Sequence, residues 1–414
     1  MKHFLPILFA FTLLFYPNNA KGENEYITQE LLETSQSDEV TLSSNVQEEK
    51  ELLEDDDLDG VETEFKIFSD MGKTEKKYEE QNFVQKIFKT KITRTDIPSY
   101  LLKDELTYNF KKGGKVEFFA GYRGNVSALF NPHNYSTKYE NMTTEFGFFG
   151  KSKDEMFDYR FSVLPVITDG RNYAENIWGD AFITYNKIPN NKILIGRSRG
   201  QIGMEGGNSA YTLPFVNRSQ IARNFGNLRT NAIKLQGNYN YGDYSISLGS
   251  SGRTMISGMP GIDFIGWFNI KPFGSQDGKF GRLTIGGGIN AGHNNFNYTV
   301  GTAYIGYKHK RLWTNFEAAI ADGYNGGAAL SNKQAGGFAY TLGWKVKPYL
   351  QLIGRIDQFD PDRSVSGNIR REYTAGINWF IKGQAMRFIL NYVFCQNDNA
   401  PNSQKIILGT QVVL

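Results

Sequence analysis

The stretch MRFILNYVFC, residues 386–395, alternates between two kinds of side chain. Successive side chains of an extended strand point to opposite faces. One face of this stretch is apolar and carries Met386, Phe388, Leu390, Tyr392 and Phe394. The other face is mixed and carries Arg387, Ile389, Asn391, Val393 and Cys395. Such a pattern predicts a β-strand with one face toward a nonpolar environment and the other toward an aqueous one.

The same alternation recurs along the chain and marks sixteen segments. Their centres lie near residues 119, 146, 162, 182, 195, 235, 247, 267, 285, 303, 316, 341, 352, 377, 391 and 409. The connectors alternate between tight turns, such as Pro189-Asn190-Asn191, and longer loops. The predicted long loops are 125–140, 168–176, 200–228, 250–262, 321–335, 358–371 and 396–403. Short turns at one end and longer loops at the other are typical of outer-membrane barrels.

We therefore predict an all-β fold, a 16-stranded antiparallel transmembrane β-barrel, over residues 101–414. Counting residues 106–110 as a strand would give seventeen and place the two termini on opposite sides of the membrane. We expect both termini in the periplasm and keep sixteen, with eighteen left open. A soluble sandwich also alternates, but so many outward aromatic side chains would need a second layer. No helical segment is available for that layer, so lipid is the simpler cover.

The N-terminal region differs in composition from the barrel. Residues 1–22 have a basic start and an apolar run of about thirteen residues, too short to span a bilayer, which predicts a signal peptide. Residues 23–64 hold 16 Asp or Glu against Lys50, whereas residues 65–414 hold 43 Lys or Arg against 27 acids. We expect residues 23–100 to be an acidic, largely disordered periplasmic segment. A calcium-binding or cell-wall-binding role for it is the alternative.

The sequence offers little for catalysis or metal binding. Cys395 is the single cysteine, and the four histidines are scattered without metal-ligand spacing. An enzyme on this barrel would need a nucleophile beside a base, and no Ser or Asp pattern singles out His133 or His293. We expect no enzyme, no cofactor and no nucleic-acid partner.

Several stretches of the second half resemble the phosphate-selective porin family of O/P type. They are FEAA at 316–319, GGFAY at 336–340, WKVKP at 344–348, RIDQFDPD at 355–362, YTAGINW at 373–379 and LNY at 390–392. Earlier, DAFITY at 180–185 with IGR at 195–197 resembles a strand pair of the same family. The resemblance implies a sixteen-stranded, trimeric, anion-selective channel. No position matches the family's phosphate-contacting lysine.

The longest connector, 200–228, is the natural candidate to fold into the lumen and set its charge. Basic residues in and around it outnumber the single local acid, Glu205. We predict that six of them line the pore and bind anions: Arg197, Arg199, Arg218, Arg223, Arg229 and Lys234. The alternatives are structural ion pairs and contacts with lipopolysaccharide phosphates. Arg253 and Arg282 are further candidates.

The functional expectation is thus an outer-membrane porin that passes small anions, phosphate or a similar solute, by diffusion. Its expected surroundings are the lipid and lipopolysaccharide of the bacterial outer membrane, as a homotrimer. Two alternatives stay open: an outer-membrane anchor or adhesin that uses the acidic segment, and a porin for neutral or cationic solutes.

Overall fold

The computed structural model describes residues 100–166, 172–323, 325–326, 329–330 and 333–414. The predicted signal peptide and, apart from Tyr100, the predicted acidic segment lie outside the described residues. The described part is dominated by antiparallel strands, as the alternating segments predict.

Nineteen strands are present in the described residues. In chain order, β1 to β10 are Thr107–Asn109, Lys115–Asn131, Asn134–Lys151, Phe157–Val163, Trp178–Ile188, Asn191–Arg199, Arg229–Tyr239, Gly242–Ser250, Ile262–Ile270 and Arg282–Asn294. The remainder, β11 to β19, are Phe296–His309, Leu312–Asp322, Asn325–Gly326, Ala329–Leu330, Gln334–Lys347, Leu350–Asp360, Arg370–Lys382, Met386–Asn397 and Ala400–Val413.

Sixteen of these strands, β2–β12 and β15–β19, form a closed antiparallel barrel. Each pairs with its neighbour in sequence, and β19 pairs with β2 from Gln404↔Phe130 to Val413↔Gly121. The predicted sixteen-stranded barrel is therefore confirmed, and every predicted centre falls within a strand. The residues of β1 pair with the start of β2, where β19 has already ended, so β1 adds no wall strand. We call the end of the barrel that holds Lys115 and Val413 the terminal rim.

The two faces of the wall differ as the alternation predicts. A row of outward side chains crosses five neighbouring strands: Ile183, Ile195, Ile233, Leu248 and Phe264. The first four are 56–59% exposed, whereas inward neighbours such as Leu194 and Lys234 are 2% exposed. An exposed aliphatic and aromatic band of this kind suits contact with lipid.

Two of the predicted long loops, 125–140 and 396–403, are wrong. β2 continues to Asn131 and β3 begins at Asn134, and β18 and β19 are separated by two residues. Polar side chains in both regions suggested loops, but their backbones stay hydrogen-bonded in tall hairpins. A strand that extends past an apolar band no longer needs an apolar face, so its alternation fades. The remaining long loops follow the prediction, and an eleven-residue connector, 271–281, lies at the terminal rim.

Three short helices interrupt the strands: α1, Tyr173–Asn176, and, within connector 200–228, α2, Met204–Gly207, and α3, Gln220–Phe225. None of the described helices is long and apolar enough to cross a membrane. Connector 200–228, which we call the inward loop, contains no exposed residue. Because both faces of the loop are covered, it lies inside the barrel rather than over its mouth.

Candidate pore constriction

The inward loop begins at the end of β6 and is fixed first at α2. Gly203 precedes this helix with φ +73°, a conformation that favours glycine. The carboxylate of Glu317 on β12 accepts hydrogen bonds from the backbone amides of Met204 at 2.8 Å and Glu205 at 3.1 Å. The hydrogen bonds of the Glu317 carboxylate thus run to backbone amides of the loop. The wall therefore holds the first turn of the loop through a buried acid.

Helix α3 fixes the second part of the loop through apolar packing. Ser219 caps the helix, with its hydroxyl accepting from the amide of Ala222 at 3.4 Å. Ile221 and Phe225 then join a buried cluster with Phe359 and with four wall alanines, Ala319, Ala321, Ala335 and Ala339. Small inward residues on β12 and β15 leave the volume that the helix fills. This side of the lumen is closed by a hydrophobic core.

Between the two helices, buried arginines of the wall hold the loop by its carbonyl groups. Arg123 donates to the carbonyl oxygens of Ala210 at 2.5 Å, Phe215 at 2.5 Å and Val216 at 2.9 Å. Arg387 donates to those of Tyr211 at 3.0 Å and Leu213 at 2.7 Å. Since the two arginines face Gln411 from neighbouring strands, they form one inward row on β2, β19 and β18.

Acidic and basic side chains link the two helical parts of the inward loop to each other and to β16. Arg355 donates to the carbonyl of Asn217 at 3.0 Å and lies 3.5 Å from the carboxylate of Glu205. Glu205 in turn accepts from the amide of Ser219 at 2.8 Å. Asp357 accepts a hydrogen bond from the amide of Gln220 at 2.7 Å and so anchors the start of α3 to β16.

All six predicted anion-binding residues lie in or beside the inward loop, and each of them contacts other groups of the protein. Arg197 donates to the carbonyls of Trp178 at 3.4 Å and Arg253 at 3.0 Å. Arg199 contacts the side-chain oxygen of Asn227, and Lys234 donates to the carbonyl of Arg199 at 2.5 Å. All three are at most 3% exposed.

The other three predicted residues differ in accessibility. Arg218 is fully buried and donates to the carbonyls of Glu205 and Asn208. Arg229 bonds Asp180 at 2.8 Å. Arg223 pairs with Glu372 at 2.8 Å and keeps 14% of its side chain exposed. Arg223 is thus the member of the set most available to a solute.

Acidic residues on distant strands pair with part of this basic set. A count of charges near the loop in the sequence does not find them. Asp180 on β5 bonds both Arg229 and, at 3.1 Å, Arg160 on β4. Glu145 on β3 adds a third contact at 3.4 Å to Arg160. Inward parity on adjacent strands is the signal that could have found this group, because Arg160, Glu145 and Asp180 lie on pleats that face the lumen.

The balance of interior charge still favours cations. Among the residues that the structure describes, thirteen Lys or Arg are buried against seven Asp or Glu. The cations are Arg123, Lys151, Arg160, Arg197, Arg199, Arg218, Arg229, Lys234, Lys271, Arg282, Lys308, Arg355 and Arg387. The acids are Glu117, Glu145, Asp180, Asp243, Asp263, Glu317 and Asp357.

A small polar cavity lies between the inward loop and strands β16–β19. Its volume of about 10 Å³ suits one water molecule. Three cations border it, Arg223, Arg355 and Lys405, with Glu372 as the acid. Burial lowers the pKa of Arg223, but the carboxylates of Glu372 and Asp357 outweigh burial and hold that pKa above its ordinary value. Arg223 therefore keeps its charge at every working pH.

The described residues contain no group of three or more His, Cys, Asp or Glu that could hold a metal ion. Cys395 is buried on the inward face of β18, and it is a free thiol.

The fold is similar to those of three outer-membrane proteins of known structure. The outer membrane channel DcaP of Acinetobacter baumannii has 11% identity over 74% of this chain and 99% of its own, with a TM-score of 0.52. A loop-deletion mutant of OmpT of Vibrio cholerae has 9% identity over 73% and 100%, with 0.51. OprB of Pseudomonas putida has 10% identity over 73% and 94%, with 0.50. At these identities the likeness shows the fold alone.

The sequence comparisons are narrower. No curated protein matches the chain. Residues 281–413 match the sequence model of the phosphate-selective porin O and P family. These residues include β10–β12 and β15–β19, and they hold most of the stretches on which the resemblance was based. Residues 281–413 thus match the family that the resemblance named, the phosphate-selective porins O and P.

Proposed function

We propose that the protein is an outer-membrane porin that passes small anions by diffusion. The observation that carries the proposal is the excess of buried cations, thirteen against seven acids, in a closed barrel with an exposed apolar outer face. Fixed positive charge beside a narrow, low-dielectric passage raises the local concentration of anions and repels cations. The porin family match over residues 281–413 supports the channel class.

Arg223 and Lys405 are the residues that we propose anions meet at the constriction, beside the more buried Arg355. They border one polar cavity, and Arg223 and Lys405 are less buried than the wall arginines that hold loop carbonyls. A guanidinium keeps its charge and can bind phosphate or carboxylate in a bidentate manner. Arg197, Arg199, Arg218, Arg229 and Lys234 contribute to the field while holding the loop in position.

The test is the reversal potential of the purified protein in planar bilayers across a KCl gradient. We expect anion preference, and Arg223→Gln should lower the chloride-to-potassium permeability ratio by roughly fivefold, about 1 kcal/mol between unit charges several ångströms apart. The matched control is Arg371→Gln. Arg371 lies on β17 next to Glu372, the partner of Arg223, but it faces outward and pairs with Asp398 at 2.8 Å.

The outcomes separate the candidate functions. Cation preference of the unaltered protein would contradict the anion proposal and favour a porin for cationic solutes. Absence of conductance at any salt concentration would favour the anchor or adhesin. Equal loss of selectivity in Arg223→Gln and Arg371→Gln would show that the constriction does not set the preference.

A further inference from the structure

The connector between β9 and β10, residues 271–281, differs from the other connectors of wall strands at the terminal rim. The others hold two to five residues, whereas this one, which we call the rim connector, holds eleven. Its Phe273 is 50% exposed and its Phe280 is 67% exposed, and their rings lie 6.1 Å apart. We call these two residues the aromatic pair. Large apolar side chains gain free energy when they leave water, so an exposed pair indicates an apolar partner.

The tight turns on either side hold the rim connector in place. In the β7–β8 turn, the side-chain oxygen of Asn240 accepts hydrogen bonds from the amide of Ser275 at 3.1 Å and from its hydroxyl at 3.0 Å. Toward the β11–β12 turn, the carboxylate of Asp277 accepts from the amide of Lys310 at 2.7 Å. Because both neighbours bind it, the rim connector presents its side chains in a fixed arrangement.

The aromatic pair continues the outward apolar surface of the wall. Phe273 follows Ile270, an exposed outward residue at the end of β9. Tyr307, on the outward face of β11, donates its hydroxyl to the carbonyl of Phe280 at 3.0 Å. Membrane barrels carry aromatic residues at the level where lipid meets water. The position of the pair is therefore the boundary between acyl chains and head groups.

Three exposed cations, which we call the basic patch, lie beside the aromatic pair. The ammonium group of Lys279 lies 5.8 Å from the centre of the Phe280 ring. Lys310 and Arg311 form the β11–β12 turn that Asp277 ties to the rim connector. The side chain of Asp277 is only 1% exposed, so it adds no exposed negative charge. The rim connector and this turn thus present three exposed positive charges.

We propose that the rim connector and the turn at 310–311 form a binding site for anionic phospholipids of the leaflet that meets the terminal rim. Phe273 and Phe280 insert at the level of the upper acyl chains, and the basic patch binds the phosphate-bearing head groups. Lipid is the partner because the site is continuous with the lipid-facing wall and opposite in charge to an anionic head group. The inference does not depend on which ions the barrel passes.

The experiment measures lipid affinity of the purified full chain by native mass spectrometry in detergent micelles, with phosphatidylglycerol as the anionic probe and phosphatidylcholine as the neutral one. We expect the unaltered chain to bind phosphatidylglycerol at least ~10-fold more tightly, because each basic residue near an anionic surface contributes about fivefold in affinity. The basic-patch variant, Lys279→Gln with Lys310→Gln and Arg311→Gln, should lose this preference and keep its affinity for phosphatidylcholine.

The matched control removes three positive charges at the opposite end of the barrel, each of which pairs with an acid. Its changes are Lys138→Gln, Lys333→Gln and Arg371→Gln. We expect it to bind both lipids as the unaltered chain does.

A variant of the aromatic pair separates the two parts of the site. Phe273→Ala with Phe280→Ala should weaken the binding of both lipids alike, by at least ~5-fold, because the rings contact acyl chains of either lipid. Equal affinity of the unaltered chain for the two lipids overturns the proposal, as does an equal loss of phosphatidylglycerol in the basic-patch variant and the control. If the phenylalanine variant keeps both lipid affinities but no longer binds isolated peptidoglycan, the cell wall is the partner and the proposal fails.

Discussion

At the scale of single residues, buried arginines organise the interior by binding main-chain carbonyls. Arg123 satisfies three carbonyl groups of the inward loop, and Arg387 satisfies two more together with the amide oxygen of Gln411 at 3.0 Å. Each bond between a charged donor and a neutral acceptor is worth about 1.5–3 kcal/mol. These side chains therefore hold the inward loop in position and also contribute positive charge to the interior.

Removing one of these arginines should free the loop. In Arg123→Gln the loop loses donors for three carbonyl groups, and a loss of at least ~1.5 kcal/mol corresponds to more than tenfold greater loop opening. Trypsin should then cut after Arg218 or Arg223 more than about tenfold faster than in the unaltered protein, while the barrel remains folded. Unchanged cutting rates in Arg123→Gln, measured beside the outward control Arg371→Gln, would refute this role.

Substitution of a glycine on β2 tests the contact between the inward loop and the wall by steric means. A Cβ on Gly121 would overlap the phenol hydroxyl of Tyr211, so Gly121→Ala should push the inward loop away from β2. We expect faster tryptic cutting of the loop and altered single-channel conductance. Gly278→Ala is the control, because a Cβ there meets no atom within 4 Å and its φ is not in the left-handed region. Identical behaviour of the two variants would mean that Tyr211 does not seat the loop.

At the scale of elements, the strands could be predicted and the hairpin heights could not. All sixteen centres follow from side-chain alternation, because lipid and water impose different polarity on the two faces. The tops of β2, β3, β18 and β19 extend beyond the region where that contrast operates, so their sequences look like loops. Helix α3 was also missed, because its amphipathic pattern is six residues long and its apolar partners lie on other strands.

The candidate site shows the same limit. Positions of the six basic residues near the inward loop were predictable from their density in the sequence. Their partners were not, since Asp180 and Glu372 lie 49 and 149 residues away from Arg229 and Arg223. A strand pairing brings such residues together only after the register is known.

The outward row of residues gives a test of which surface faces lipid. Ile195 is 59% exposed at the centre of β6, and Ile256 is 61% exposed in the connector after β8. Arginine at the middle of a lipid-facing strand costs about 2–4 kcal/mol, so Ile195→Arg should lower the free energy of unfolding from vesicles by that amount. Ile256→Arg should change it little. Equal effects, measured by urea titration, would contradict the lipid-facing assignment.

At the scale of the whole molecule, the inward loop occupies part of the lumen, and the arginines that hold it make the interior basic. The inward loop extends from β6 across the lumen and contacts β2, β9, β11, β12 and β15–β19, so the passage has to run along the remaining strands. The even number of wall strands predicts both termini in the periplasm, and the resemblance implies a homotrimer. Its test is the migration of unheated samples on denaturing gels, where a trimer runs at about three times the 46.9 kDa of one chain.

The pairing of β19 with β2 has a consequence for biogenesis. The wall is sealed by hydrogen bonds between the earliest and the latest strands of the polypeptide, residues 121–130 and 404–413. Until the final strand has been synthesised and exported, the edges of the sheet remain open and prone to pair with other chains. The cell has to keep nearly the whole molecule unfolded and chaperoned during transit, and closure is necessarily the last event.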